Sequence, residues 1–427
     1  MIPADQAEAI ILRHTMALDP QADQEPLALT AAQGRILCAD VTSALDFPHW
    51  DNSAMDGYAV RYEDVKHSSA AAPVRLEIVE EIPAGYQPQK TLQPGQCARI
   101  FTGAIMPKGA DTIVIQEDTQ QQAETAGTAP PQVSILAAPD PQAFVRHKGA
   151  FYQAGQALLT AGCQLAAADI AVLAAAQCAT VTVYRRPRVA ILSTGDELVP
   201  IDQPLRAGQI VDSNQYALAA LVAAAGAEPI CLGIVPDDRE RLRGAIAHAC
   251  TVADMVLSSG GVSVGEYDYV DQILAELGAD IHIRAVAVKP GKPLTVATLQ
   301  NPKSKIQNVL YFGLPGNPVS ALVSFWRFVQ PAIRKLSGLS SGWSPLFVNG
   351  ITSDELRSGG KRETYLWGQV RGVNGQYQFH LAGGSHSSGN LINLAQTNGL
   401  AIAPLGQTHI APGEPVQIMM VGDPYPG

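Results

Sequence analysis

Four glycine-rich turns stand in the middle of this 427-residue chain, each after an apolar, strand-like run. They read Ser193-Thr194-Gly195-Asp196-Glu197, Ser258-Ser259-Gly260-Gly261-Val262-Ser263-Val264-Gly265, Lys289-Pro290-Gly291-Lys292-Pro293 and Gly313-Leu314-Pro315-Gly316-Asn317-Pro318. Glycine lets backbone N–H groups approach an anion closely, and hydroxyls and lysines add donors and charge. Loops at the carboxyl ends of strands are where open α/β sheets take their ligands. The chemistry these turns suggest is binding of a phosphorylated ligand.

Acids stand beside the turns. Glu197 closes the first, Asp237 and Asp238 follow the run Ile230–Val235, and Asp268 follows the serine-rich loop. Carboxylates next to phosphate commonly hold Mg²⁺, which bridges protein and phosphate oxygens. The same acids also suit helix N-termini, where they cap free N–H groups and favour the macrodipole. Lys289 and Lys292 read either as a phosphate clamp on a rigid Pro-Gly turn or as solvated turn lysines. Ser258, Ser259 and Ser263 read as ligand donors or as turn caps. Two polar segments lie further upstream, Asp51–Ala59 and Thr102-Gly103-Ala104, and by themselves they read as surface loops.

The elements that must hold these residues are legible as patterns. Strand and helix signals alternate from Arg188 to about Leu336: strands at Arg188–Leu192, Ile230–Val235, Met255–Ser258 and Ile281–Val288, helices at Ser213–Ala225, Arg239–Cys250, Tyr267–Leu277 and from Pro318 onward. Asp212 or Ser213 caps the first helix and Gly226 stops it. Alternation of this kind predicts βαβ crossovers and a doubly wound, mostly parallel α/β sheet over 185–337. Residues 1–184 form an N-terminal region, with an amphipathic helix at 4–18 for which Asp5 is a candidate N-cap and a β-rich insert at about 46–145. Short strands between glycine turns predict a small β-barrel or sandwich over 346–427.

Composition narrows the class. The formal charge of −10 argues against a general nucleic-acid binder. The six cysteines are dispersed, without a CxxC pair, which suggests reduced thiols and a cytoplasmic protein. The N-terminal residues lack the basic-then-apolar pattern of a signal peptide. The most apolar stretch, Leu165 to Ala176, is broken by Asp169 and is too short for a bilayer.

Taken together, the motifs resemble the molybdopterin molybdenumtransferase family, also called MoeA and found as the gephyrin E domain. The resemblance rests on Asn52–Ala59, Thr102–Ala104, Ser193–Glu197, Ser258–Gly265 with Asp268, Lys289–Pro293 and Gly313–Pro318, and covers nearly the whole chain. It implies an elongated homodimer with four domains per subunit. It implies ligation of molybdate to adenylylated molybdopterin, assisted by Mg²⁺, with release of AMP. It implies that Asp56, Glu197, Asp237 and Asp268 are catalytic acids, the last three binding metal. Lys289 and Lys292 would bind phosphate and Thr102 would shape the site. Substrate would also meet Ser193, Thr194, Gly195, Ser258, Ser259, Gly260, Gly261, Ser263, Pro315, Gly316 and Asn317, with Arg362 and Ser385 near the cleft. Asp56 would act across the dimer. A molybdopterin adenylyltransferase and apo-molybdoenzymes would be the partners, and neither nucleic acid nor membrane is expected.

The chain departs from the family pattern twice. Gly149-Ala150-Phe151 stands where many members carry Gly-Glu-Asp, and Ala285 stands where a basic residue is frequent, with Arg284 beside it. A chain lacking one active-site acid could instead be a non-catalytic cofactor-binding scaffold or carrier. The retained acids favour the enzyme, and the domains outside the central block disfavour a simple adenylyltransferase.

Overall fold

The computed structural model describes residues 1–121, 130–260, 267–300 and 308–426, with 267–269 by backbone alone. The chain divides into two compact units. The larger holds Met1–Ala39, Thr160–Ala171 and Ala179–Gly427, and the smaller holds Asp40–Leu159 and Val172–Cys178.

The smaller unit is built on a six-stranded sheet in the order Thr112–Ile115, Gly57–Val60, Gln96–Ile100, Val74–Ile82, Gln132–Ile135, Thr119–Gln121. Only the central pair, Gln96–Ile100 with Val74–Ile82, is parallel. Successive side chains of a strand point to opposite faces. Val114, Cys97 and Leu76 accordingly pack on one side, and Ile113, Ala98 and Ile82 on the other. A Cβ on Gly57 would lie 2.0 Å from the Val114 carbonyl oxygen, so only glycine lets this strand begin directly after Asp56.

The larger unit carries the expected α/β sheet, in the order Glu228–Val235, Arg188–Thr194, Met255–Ser259, Asn308–Leu314, Pro293–Gln300, Asp280–Ala285. The first four strands are parallel and the last two add antiparallel. Val189 and Ile191 pack with Leu218 of helix Ser213–Ala224 and Phe325 of the helical run after Pro318. Ala190 and Leu192 pack with Ile246 of helix Arg239–Val252 and Ile273 of helix Tyr267–Glu276. Helices thus cover both faces, which is why these strands read as continuous apolar runs.

Five C-terminal strands, Phe347–Thr352, Glu363–Val373, Gln376–Leu381, Gly399–Ala403 and Pro415–Met420, close into a barrel. Closure comes from Glu363–Val373 pairing on both sides, with Gln376–Leu381 and with Gly399–Ala403.

Three expectations shift. The N-terminal helix ends at His14, because the chain then turns so that the Leu18 N–H can donate to the Leu336 carbonyl. Asp5 lies inside its first turn and not at the N-cap, and its carboxylate meets Arg327 at 2.6 Å. The predicted strand Ile281–Val288 is two strands. Asp280–Ala285 stays in the α/β sheet, while Val288–Lys289 pairs with Glu363-Thr364 of the barrel.

No disulfide forms among the six cysteines. Burial pushes the Cys97 thiol up to about 12 and that of Cys250 to about 11, so both stay protonated. Among the described residues no helix is long and apolar enough to cross a membrane.

Candidate functional site

Parallel register sets Ser193 beside Ser259, and Ser259 beside Leu314, at one edge of the sheet. The antiparallel strand Pro293–Gln300 begins at that same edge, with Thr295 opposite Gly313. The described residues of the four glycine-rich turns are therefore gathered there, at the carboxyl ends of the parallel strands. A cleft of about 700 Å³ opens between them. Its lining includes Ser193, Thr194, Gly195, Glu197, Asp237, Ser259, Gly260, Pro315, Gly316 and Asn317.

The local backbone explains the glycines. Gly260 has φ +95°, and a Cβ there would stand 2.2 Å from the Thr194 carbonyl oxygen, so two of the turns touch backbone to backbone. Gly195 has φ +149°, and its Cβ would meet the Glu197 carboxylate at 2.6 Å. Glycine here leaves that carboxylate its place in the cleft wall. Gly195→Ala is expected to cost about 1–3 kcal/mol in backbone strain. The same Cβ should push the Glu197 carboxylate out of the cleft wall. Comparing ligand affinity with thermal stability in the variant checks both parts.

The acids divide. Asp212 and Asp238 are helix N-caps, accepting from the N–H groups of Gln215 and Arg241. Asp237 instead faces the cleft and exchanges contacts with Asp196, each backbone N–H pointing at the other's carboxylate, at 3.1 and 3.4 Å. Ser193 and Thr194 are buried, and their hydroxyls have no hydrogen-bond partner among the described residues.

Other candidates lie elsewhere. The Ser258 hydroxyl turns away from the cleft and bonds the Tyr311 hydroxyl at 2.6 Å inside the core. Burial holds that phenol well above its usual pKa, so it stays a neutral partner. Lys289 and Lys292 are exposed on their turn and form no ion pair among the described residues. The Arg362 guanidinium donates to the Val288 carbonyl at 3.0 Å, immediately before Lys289. Ser385 is exposed in a barrel loop, and its carbonyl accepts from Asn390 and Asn393. Asp268 is placed only by its backbone, near the start of helix Tyr267–Glu276. Gly261 and Ser263 fall outside the described residues.

In the smaller unit, one Asp56 carboxylate oxygen accepts from both the backbone N–H and the hydroxyl of Thr102, each at 2.7 Å. That N–H, then the hydroxyl, holds the Asp56 carboxyl below the usual carboxylate range. Phe151 is 73 % exposed. Arg284, on strand Asp280–Ala285, pairs with Asp271 of helix Tyr267–Glu276 at 2.7 Å.

Sequence reasoning missed Asn214, Ser320, Gly389 and Leu391 in the cleft wall. Asn214 was legible only as a residue of a helix start. Gly389 and Leu391 arrive from the barrel, where the Ser388 carbonyl accepts from the N–H of Val319 in the first turn of the helix after Asn317.

A doubly wound sheet with an anion-suited cleft at its carboxyl edge, continued by a small barrel, defines an α/β protein that binds an anionic ligand. Family models match 2–176 as the MoeA N-terminal region (domain I and II), 190–335 as a probable molybdopterin binding domain and 349–421 as the MoeA C-terminal region (domain IV). The chain belongs to the MoeA family. It is 63 % identical over 412 residues to a molybdopterin molybdenumtransferase of Nostoc sp. strain PCC 7120, covering 96 % of this chain and 92 % of that one. It is 36 % identical to the molybdopterin molybdenumtransferase of Haemophilus influenzae, covering 84 % and 83 %. A crystal structure of a molybdopterin biosynthesis MoeA protein from Pyrococcus horikoshii is similar with a TM-score of 0.81 at 26 % identity, over 98 % and 100 % of the two chains.

Proposed function

We propose that this protein inserts molybdenum from molybdate into adenylylated molybdopterin, forming molybdenum cofactor and releasing AMP. The observation that carries the reading is the cleft itself, in a chain of this family: four anion-suited turns converge on it together with Glu197 and Asp237. Backbone N–H groups of the turns favour the negative phosphates. Lys289 and Lys292, exposed on the turn that ends at Pro293 of the cleft wall, would add positive charge.

Two carboxylates facing a polyanion would repel it, so this donor set suits a divalent cation. Glu197 and Asp237, with Asp268, are the proposed ligands of Mg²⁺, which keeps few protein carboxylates and takes the remainder from water and phosphate. When bound, that ion supplies charge neutralisation of the phosphate oxygens as the anhydride to AMP is cleaved. Glu197 and Asp237 would hold that ion, and the turns would hold the phosphates. Asp56, ionised and aimed by Thr102, is the further catalytic acid.

We further propose a cytoplasmic homodimer of segments 1–184, 185–337 and 346–427, receiving its substrate from an adenylyltransferase and passing product to apo-molybdoenzymes. The test is AMP release from adenylylated molybdopterin with molybdate and Mg²⁺, coupled to reconstitution of an apo-molybdoenzyme. Molybdate-dependent release with reconstitution is expected. Tight binding without turnover would leave a carrier and would point to Phe151 as the reason. Lys292→Ala should weaken binding of the adenylylated ligand ~10-fold, the loss of one charge-assisted contact. Unchanged affinity in that variant would move the phosphate elsewhere.

A further inference from the structure

We infer that Asn214 is a positioning residue that directs the hydroxyl proton of Ser259 into the cleft, making Ser259 a donor to an anionic oxygen of the ligand. The inference rests on the proposed reading of the cleft and deepens it. Asn214 is 8 % exposed and stands in the first turn of helix Ser213–Ala224. Its amide nitrogen donates to the Ser259 Oγ at 2.7 Å and to the Gly316 carbonyl at 2.8 Å. A carbonyl oxygen only accepts, so the amide atom facing Gly316 must be the nitrogen. Both amide protons are then committed, and the Ser259 Oγ is an acceptor toward Asn214.

With its oxygen receiving that bond, the Ser259 hydroxyl has its own proton left to give. No acceptor among the described residues takes it. Ser259 lines the cleft at its buried wall, only 1 % exposed, and a ligand seated against that wall would meet the proton. The Asn214 carbonyl oxygen is buried without a partner among the described residues. That arrangement is costly for stability, and an apolar side chain of similar size would avoid it. What asparagine adds is direction. It ties three cleft elements together and sets the polarity of one subsite, so that the subsite presents a proton. Such a subsite selects an ionised oxygen over an N–H group.

The test titrates molybdopterin, and separately inorganic pyrophosphate, against full-length protein. The variants are Asn214→Ala, Asn214→Asp, Ser259→Ala and the double Asn214→Ala/Ser259→Ala, with thermal melting followed in parallel. Each alanine variant is expected to weaken binding ~10-fold, the loss of one bond to a charged group. The double variant should lose little more than either single one, where independent sites would lose ~100-fold. Asn214→Asp should bind more weakly than Asn214→Ala although it keeps the shape, because its carboxylate captures the Ser259 proton. A residue serving only the fold gives the reverse order, a mild isostere and a severe truncation, with additive losses. That order, or unchanged affinity in Asn214→Ala, overturns the inference. Should Asn214→Ala fail to fold, Asn214→Asp compared with Ser259→Ala decides the same point. Molybdopterin that ignores the wild-type protein while pyrophosphate follows the expected series would remove the functional reading and keep this one. A wild-type protein that binds neither overturns both.

Discussion

Asp56→Ala is expected to abolish molybdenum insertion while leaving the protein folded. The carboxylate is exposed, and among the described residues its hydrogen bonds come from one neighbour, Thr102. Its removal leaves no buried group unpaired, so thermal unfolding should hardly move. The chemical loss should be large, at least ~10³-fold in turnover, as for removal of a positioned acid that acts on the reacting groups. Thr102→Ala should fall between the two, because the backbone N–H of residue 102 still holds the Asp56 carboxylate. The same contact gives a sign for pH. Thr102 lowers the Asp56 pKa, so acidification should leave Asp56 ionised until the pH is below the ordinary carboxylate range of about 4. Normal AMP release by purified Asp56→Ala would remove Asp56 from the chemistry.

Arg327→Ala carries the largest expected loss of stability, about 3–5 kcal/mol. Arg327 is only 1 % exposed and lies in the π-helical turn Phe325–Val329. Its guanidinium binds the Glu8 carboxylate, reaches Asp5 at 2.6 Å and donates to the Tyr365 hydroxyl at 3.0 Å. The Tyr365 hydroxyl in turn donates to Glu363. One side chain thus joins the N-terminal helix, the helical run after Pro318 and the barrel strand Glu363–Val373. Truncation leaves the buried Glu8 carboxylate without its counter-ion, which costs more than the pair contributed. Replacing Arg327 and Glu8 together by methionine should be much milder. Denaturant midpoints of the single and double variants compare the two. Equal losses would show that packing, and not charge, carries the effect.

Much of this could be read along the chain because it depends on near neighbours. Alternating apolar runs, Asp238 ahead of a helix, and Pro318 after Asn317 each announce an element by local geometry. The glycines of the turns likewise report what backbone they need, and Gly260 and Gly195 do stand at positive φ. Tertiary contacts settled what local signals left open. Asp237 and Asp238 are adjacent and chemically alike, yet one caps its helix and the other faces the cleft. The break at Ala285 was invisible because Val288–Lys289 finds its partner strand in the barrel, far along the chain.

Ser258 and Ser259 show the division most plainly. The sequence by itself determined that a strand ends in a serine pair before glycine, and that neighbouring side chains must face opposite sides of the sheet. It also determined the family, through motifs whose residue types are dictated by short-range backbone and phosphate chemistry. Only the tertiary structure decided which serine is which. Tyr311, from the neighbouring strand, takes Ser258 into the core, and Asn214, from a helix on the other face, meets Ser259 at the cleft. The reason is physical: strand period and turn geometry are fixed by a few consecutive residues, whereas the partner of a buried hydroxyl is fixed by packing between elements remote in sequence.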